Sequence, residues 1–275
     1  MQNKILIIAG MHRSGTSLTT QWLYRCGLNV GENLLGAGIG NDDGHYEDID
    51  FYEAQKQILR NKNIEDSGFT ETPVPALMIE EKEFLKNIIS KKNQAAGEWG
   101  WKDPRTCLFL RDYEDLLPEA YYLIVFRDWK STVSSLISRT YKIIYPTDDI
   151  VIKGLFKGYR KKLEVKRRIE ELCKEKATNF LKIWILYNKE ILKSMSRLSK
   201  DNYAVVNFGA LLESDKNVFH KLTDHWNFGL QYISFKEIYK PKLISKEINT
   251  TQFIDKVLIA EAEKIETILH KKTTF

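Results

Sequence analysis

The chain has 275 residues, of which 43% are hydrophobic and 29% are charged, and its formal net charge is +5. This length and composition predict one large α/β domain over residues 1–275 and exclude an intrinsically disordered chain. The positive charge is mild and spread along the sequence, which argues against a nucleic-acid partner, and an anionic small molecule fits it at least as well.

The three cysteines lie far apart, and no CxxC pair occurs: Cys26, Cys107 and Cys173. This usage indicates neither a zinc site nor a disulfide framework, and it favours a reducing compartment. The apolar run Ile5–Ala9 is too short for a signal peptide, and no run is long enough for a membrane span. We therefore expect a cytoplasmic protein with no metal site and no transmembrane segment, and we leave peripheral membrane contact open.

The first half of the chain alternates predicted strands and helices. Lys4–Ala9 is an apolar run typical of a strand buried on both faces, and a glycine-bounded loop separates it from a predicted helix over 17–26. Residues 31–45 are polar and rich in glycine, which is typical of a functional loop. Helices are predicted over 46–59 and 75–92.

The second half continues the alternation. A short strand that proline ends is predicted within 98–104, further strands are predicted at 121–126 and 203–208, and residues 229–250 are expected to be irregular. The remaining helices are predicted over 108–116, 129–144, 154–176, 178–198, 216–226 and 252–271. This order predicts an α/β fold, a three-layer sandwich in which helices cover both faces of a central, mostly parallel sheet.

The loop after the first strand, Gly10–Ser17 (GMHRSGTS), has the glycine spacing of a phosphate-binding loop. It follows a buried strand and opens a helix, so its backbone N–H groups and the helix dipole favour an anion. Arg13 adds a positive charge. Thr16 stands where a Walker A loop has the lysine that contacts terminal phosphates, which favours a sulfuryl group over Mg²⁺-dependent phosphoryl transfer.

The segment HRSGTS resembles the phosphosulfate loop of sulfotransferases that use 3′-phosphoadenosine-5′-phosphosulfate (PAPS). The resemblance implies a P-loop fold, PAPS as the sulfuryl donor and 3′-phosphoadenosine-5′-phosphate (PAP) as its product. It also implies that Arg13 contacts the bridging and sulfuryl oxygens while the loop surrounds the 5′-phosphate. The implied cofactor contacts in this loop are His12, Arg13, Ser14, Gly15, Thr16 and Ser17.

A second stretch, residues 121–135 (YYLIVFRDWKSTVSS), resembles the 3′-phosphate site of the same family. There an arginine at a strand end and a serine eight residues later bind the phosphate, which implies this role for Arg127 and Ser135. Arginine suits a phosphate because it makes bidentate, charge-assisted hydrogen bonds. Trp129 stands where many family members have proline, and Ser134 is an adjacent alternative to Ser135.

A third stretch, residues 99–106 (WGWKDPRT), resembles a Lys-Asp-Pro block in the tyrosylprotein branch and in bacterial members. The resemblance implies that Lys102 lies at the active site near the transferring group. Asp103 is interpreted as a structural partner of Lys102 or Arg105. With Arg13, Lys102 is therefore a predicted stabiliser of charge on the sulfuryl and bridging oxygens.

Sulfuryl transfer to a hydroxyl or amine also needs a group that takes the acceptor's proton. Residues 44–51 (GHYEDIDF) resemble a stretch of the heparan branch in which a glutamate has this role, and Glu47 matches it best. A carboxylate in this position is also typical of a helix cap. Four other residues remain alternatives as the base: His45, Asp48, Glu32 and Asp103.

The resemblance is specific over residues 4–140 and weak over 178–228. Residues 229–275 have no assigned role, because the Arg-Lys-Gly segment of cytosolic members is not found there. The basic stretch 157–176 is interpreted as a solvated helix face, with a lid that attracts an anionic acceptor as the alternative.

The sequence thus predicts a sulfotransferase whose acceptor is a small molecule or a glycan, with a carbohydrate as the choice by analogy with the heparan branch. Aromatic and basic residues within 31–75 and 140–170 are expected to line the acceptor site. A small-molecule kinase and a non-catalytic nucleotide- or anion-binding protein are the two alternatives. The sequence indicates no oligomeric state.

Overall fold

The computed structural model describes residues 3–38, 44–146, 157–240 and 247–275. Within these residues a four-stranded sheet has the order β2-β1-β3-β4, and each neighbouring pair is parallel. The strands are β1 Lys4–Ala9, β2 Glu98–Lys102, β3 Tyr121–Phe126 and β4 Tyr203–Asn207.

The sheet is buried on both faces because successive residues of a strand point to opposite sides. In β1, Ile5 and Ile7 pack into one apolar cluster, while Leu6 and Ile8 pack into the other. In β3, Ile124 packs into the first of these clusters, and the residues on either side of it pack into the second. The predicted three-layer α/β sandwich with a central parallel sheet is therefore confirmed.

Eight helices lie within the described residues: α1 Thr16–Arg25, α2 Ile49–Asn61, α3 Ile79–Ala95, α4 Leu110–Leu116, α5 Trp129–Ile144, α6 Lys157–Arg197, α7 Leu211–His220 and α8 Lys256–Lys271. Helices α1 and α7 pack on one face of the sheet, and the other six contribute to the cluster on the opposite face. A π-helical turn, Lys221–His225, extends α7.

The prediction of two helices over 154–176 and 178–198 is wrong, because α6 runs without a break from Lys157 to Arg197. No glycine or proline separates the two predicted halves, and Ala177, between them, is buried in the core, so the helix continues through it. The predicted start at 154–156 lies outside the described residues. None of the helices in the described part of the chain combines the length and apolar character that a membrane span needs.

Among the helix starts, those of α3, α7 and α8 differ most from the predicted ones. Helix α3 begins at Ile79 instead of residue 75, because the Glu81 carboxylate accepts a hydrogen bond from the Met78 backbone N–H at 2.8 Å and caps the helix there. Helix α8 begins at Lys256, where Asp255 accepts a bond from Val257 N–H. Helix α7 begins earlier than predicted, at Leu211, directly after a 3₁₀ turn.

The carboxyl ends of the four parallel strands meet at one edge of the sheet. The loop from Gly10 follows β1, Asp103 follows β2, Arg127 follows β3 and Phe208 follows β4. Open α/β sheets bind ligands outside this edge. The motifs found in the sequence therefore converge on the side of the sheet where a ligand site is expected.

Candidate active site

The loop between β1 and α1 makes a tight turn. Arg13 and Gly15 have positive φ angles of 66° and 89°, and Ser14 N–H donates to the Met11 carbonyl at 3.2 Å. Among the described residues no side chain caps the start of α1, and its first turn has no acidic residue. The positive end of the helix dipole therefore faces the loop without an acidic residue of that turn to offset it.

Gly15 is required by both its backbone angle and its surroundings. A side chain at its position would be strained at φ 89° and would overlap the ring of Phe208, which follows β4. The absence of a side chain lets the loop and the end of β4 approach each other.

The Gly15→Ala variant is expected to lose about 2–4 kcal/mol of unfolding free energy, because strain and overlap add. Gly27→Ala is the matched control, since Gly27 has φ 105° but nothing within 4 Å of the added carbon. That control is expected to lose only about 1–2 kcal/mol. Urea unfolding of the two variants measures the difference, and equal losses would show that the contact with Phe208 is unimportant.

Lys102 connects the loop to the predicted base. Its side chain is 1% exposed, and its ammonium donates to the Ser17 hydroxyl at 3.0 Å, to the His45 carbonyl at 2.6 Å and to Glu47 Oε1 at 2.5 Å. A lysine has three N–H donors, so these partners use all of them. The structure thus brings together three predicted site residues from β2, the first loop and the segment before α2.

Burial and charge act in opposite directions on Glu47. The carboxylate is 6% exposed, and burial raises its pKa, while the nearby Lys102 ammonium lowers it. Its second oxygen lies 3.5 Å from His45 Nδ1. Burial also lowers the pKa of His45 to about 4, with Lys102 as the next cause, so this ring is neutral at pH 7.

The other candidate bases have structural partners or lie elsewhere. Asp48 caps α2 by accepting from Asp50 N–H at 2.9 Å, and it pairs with Lys92 at 2.7 Å. Asp103 holds Arg105 in a bidentate pair, with distances of 2.9 and 2.6 Å. Glu32 is exposed in the loop after α1. None of these three carboxylates is among the described residues that line the cavity beside Glu47.

A cavity of about 300 Å³ opens next to Glu47. Its apolar walls come from distant parts of the chain: Leu35, Phe69, Leu136, Ile143 and Phe180. Its charged and polar walls include His12, His45, Glu47, Lys56, Asp66 and Arg139. The cavity can therefore hold a small molecule with both apolar and polar parts, and Glu47 lies within its wall.

The His12 ring belongs to this cavity. Its Nε2 lies 3.0 Å from the Ser67 carbonyl, and its ring packs against Phe69 and Tyr187. A carbonyl only accepts, so Nε2 donates, and Nδ1 of the neutral ring has the lone pair. Burial lowers the pKa of His12 well below its ordinary value, and the Arg105 charge adds to the effect.

The second phosphate motif also meets the first loop. Arg13 Nε donates to the Ser135 hydroxyl at 2.9 Å, while the Ser134 hydroxyl accepts from Ile248 N–H at 2.8 Å. The two adjacent serines therefore have different roles, and Ser135 is the one that faces the loop. Arg127 lies 6.0 Å from the centre of the Phe208 ring, which also covers Gly15, and burial lowers the pKa of Arg127.

Residues 229–275 had no assigned role, and their described parts pack against α1, α5 and α6. The Ile233 carbonyl accepts from the Trp22 indole N–H at 2.7 Å, and Phe235 is buried against α1. Ile248 contacts α5 through Ser134, and α8 packs on α5 and α6. Residues 241–246 lie outside the described part of the chain.

Sequence reasoning missed several residues of the cavity. It expected lining residues within 31–75 and 140–170, which agrees with Tyr52, Phe69 and Ile143, among others. It did not indicate Arg139 on α5 or Phe180 on α6, and it assigned His12 to the cofactor alone. The helical periodicity of α5 and α6 marks one face of each helix as inward, but it does not distinguish core from cavity.

No family model matches the chain, and the search of curated proteins finds no relative. Solved structures do match. Sulfotransferase STF9 from Mycobacterium avium is 13% identical over 86% of this chain and 67% of its own, with a TM-score of 0.56. The sulfotransferase domain of the curacin biosynthetic pathway is 13% identical over 98% of both chains, with a TM-score of 0.48. A complex of retinol dehydratase with androsterone and the inactive cofactor PAP is 12% identical over 100% of this chain and 83% of its own, with a TM-score of 0.40.

The similarity to STF9 establishes the fold. The chain has the α/β fold of a bacterial sulfotransferase, as the resemblance in the sequence implied. Identities near 13% do not extend to the acceptor, and the tyrosylprotein branch is not among the structures described above.

Proposed function

We propose that the protein is a PAPS-dependent sulfotransferase that transfers a sulfuryl group to a hydroxyl or amine of a small-molecule or glycan acceptor. The observation that carries this proposal is the position of Glu47. Its carboxylate lies in the wall of a cavity, and Lys102 connects it directly to Ser17 of the anion-binding loop. An acceptor in the cavity would therefore lie beside the base, which a single side chain connects to the loop.

The residues around the loop fit PAPS. The start of α1 has no side-chain cap and no acidic residue in its first turn, so its backbone N–H groups and the positive end of the helix dipole suit the 5′-phosphate. Ser135 and the half-buried Arg127 lie beside the loop, which suits a second phosphate on the 3′ position. The loop residues Ser14, Thr16 and Ser17 would hold the 5′-phosphate, as predicted from the sequence.

When bound, PAPS supplies a sulfuryl group for in-line transfer to the acceptor oxygen or nitrogen. Glu47 takes the acceptor's proton, and burial, which raises its pKa, strengthens it as a base. Arg13 stabilises negative charge on the bridging oxygen. Lys102 has all three donors in use, so we assign it the positioning of Glu47 and Ser17 instead of the direct contact with the sulfuryl and bridging oxygens that the sequence predicted.

The cavity supports a carbohydrate or other hydroxylated acceptor. Tyr52, Phe69 and Phe180 provide aromatic surface, and His12 and Asp66 add hydrogen-bonding groups. Amphipathic walls of this kind suit a sugar ring, whose faces are apolar and whose edges bear hydroxyls. The reaction class rests on the site, whereas the choice of a carbohydrate rests on this composition and on the resemblance of residues 44–51.

The first test is calorimetric titration of PAP in EDTA, with ADP and ATP as comparison ligands. Binding of PAP that needs its 3′-phosphate and no metal is expected. A preference for ATP that depends on Mg²⁺ would favour a small-molecule kinase. Binding of PAP with no transfer to any acceptor would favour a non-catalytic nucleotide-binding protein.

The Arg127→Ala variant is expected to bind PAP roughly 10- to 100-fold more weakly than the original protein, because a charge-assisted hydrogen bond to phosphate is lost. Its affinity for ADP, which lacks the 3′-phosphate, is expected to stay the same. Arg111→Ala removes an equal charge from the exposed side of α4 and serves as the control. Unchanged PAP affinity in Arg127→Ala would contradict the 3′-phosphate site.

A further inference from the structure

Arg139 is a cation of the cavity for which the described residues provide no anionic partner. It lies on α5, and its guanidinium lines the cavity near the two histidines, whose pKa it lowers. Its Nε is buried and has no hydrogen-bond partner among the described residues, and no carboxylate of those residues pairs with it. A buried N–H group without a hydrogen-bond partner destabilises the protein. A ligand that accepts a hydrogen bond from it removes this free-energy cost and therefore binds more tightly.

The neighbouring lysine and arginine side chains each have a carboxylate partner. Arg105 is held by both oxygens of Asp103, and Lys102 pairs with Glu47. Lys56 lies 3.7 Å from Asp66, a carboxylate that Arg60 shares. Burial keeps His12 and His45 neutral at pH 7. The cavity thus retains a positive charge at Arg139 that these carboxylates do not neutralise.

Arg139 also lies in the right part of the molecule to recognise an acceptor. Helix α5 contributes Ser135 to the contact with Arg13, and Arg139 follows one turn later on the same side of the helix. The residues beside it in the cavity wall, Leu136 and Ile143, are apolar, so they offer no side-chain hydrogen bond that would compete with an anion for the guanidinium.

We propose that Arg139 binds an anionic group of the acceptor, a carboxylate or a phosphate, so that the substrates of this protein are negatively charged before sulfation. This inference takes the cavity as the acceptor site and therefore rests on the function proposed above. The guanidinium would donate hydrogen bonds to two oxygens of the anion, and the acceptor's hydroxyl would then lie towards Glu47.

The experiment compares matched acids and esters as probes. Calorimetry, or ligand-detected NMR for weak binding, measures 4-hydroxybenzoate against its methyl ester, D-glucuronate against its methyl ester, and 4-hydroxyphenyl phosphate against its dimethyl ester. Each pair is measured with and without saturating PAP. The variants are Arg139→Met and Arg139→Lys, with Lys142→Met, which removes an exposed charge from the same helix, as the control.

The original protein is expected to bind at least one acid roughly tenfold or more tightly than its ester, because a charged hydrogen bond is gained. Arg139→Met is expected to bind both members of that pair equally, Arg139→Lys to retain part of the preference, and Lys142→Met to retain all of it. The carboxylate and phosphate pairs show which anion is preferred.

The proposal is overturned if no acid binds more tightly than its ester. It is also overturned if Arg139→Met keeps the preference for the acid, or if Lys142→Met loses it. The parallel titration of PAP separates this result from the proposed function. An acid preference that depends on Arg139 in a protein that does not bind PAP would support the anion site and reject the sulfotransferase. Normal PAP binding without any acid preference would reject the anion site and leave the sulfotransferase supported.

Discussion

Replacing Glu47 by glutamine is expected to lower the rate of sulfuryl transfer by roughly 10²- to 10⁴-fold, the range associated with a lost general base. The amide keeps the shape of the side chain and can still accept from Lys102, whose bonds to Ser17 and the His45 carbonyl remain. PAP affinity is therefore expected to change little. Transfer from radiolabelled PAPS to an acceptor that the original protein modifies, with calorimetry of PAP, measures both quantities.

Two histidines provide the controls for this experiment, because both line the cavity. His45→Ala and His12→Asn are expected to retain more activity than Glu47→Gln. The pKa of His45, lowered to about 4 by burial, makes it a weaker base than an ordinary histidine. Full activity in Glu47→Gln together with loss in one histidine variant would transfer the role of base to that histidine.

The strands and the helix after β3 could be predicted closely because their signals are local. The run KILIIA matches β1 from Lys4 to Ala9, and the helix predicted over 129–144 matches α5. Asp128 accepts from Ser131 N–H at 2.7 Å and fixes the start of that helix, as an aspartate at this position favours. The glycine at position 15 also has the positive φ angle of a tight turn, so the sequence was sufficient to predict a turn between β1 and α1.

The cavity could not be predicted in the same way, since its walls are non-local. Arg139 and Phe180 lie on different helices, and His12 comes from the loop after β1. Glu47 and Lys102 were each predicted from a short stretch, but their ion pair joins residues 55 positions apart. Only the packing of helices on the sheet brings these side chains together, and no local pattern records it. The single long helix α6 was missed for a related reason, because core burial of Ala177 overrides the predicted boundary.

Replacing Lys102 by methionine is expected to lower the unfolding free energy by about 3–5 kcal/mol at neutral pH, because Glu47 would remain as a buried charge without its partner. Lys189→Met is the control, since its ion pair with Glu261 at 2.5 Å is solvent-exposed and is expected to contribute at most about 1 kcal/mol. The double variant Glu47→Gln/Lys102→Met has neither charge and is expected to regain at least half of the loss, as urea unfolding can measure.

The stability that Lys102→Met loses relative to the original protein is expected to depend on pH. Burial raises the pKa of Glu47, and Lys102 opposes that rise, so its removal lets the pKa rise further. The folded state then binds a proton at pH values where the unfolded state, with an ordinary glutamate pKa of about 4.3, has released it. Stability contributed by this proton is therefore present in acid and is lost as the pH rises through the raised value. Lys102→Met is expected to lose less stability relative to the original protein at about pH 5 than at about pH 8, whereas the double variant, which has no carboxylate at position 47, is expected to show no such difference. A loss that is equal at both pH values would mean that Lys102 does not compensate the charge of Glu47, and its role as the residue that positions the base would have to be abandoned.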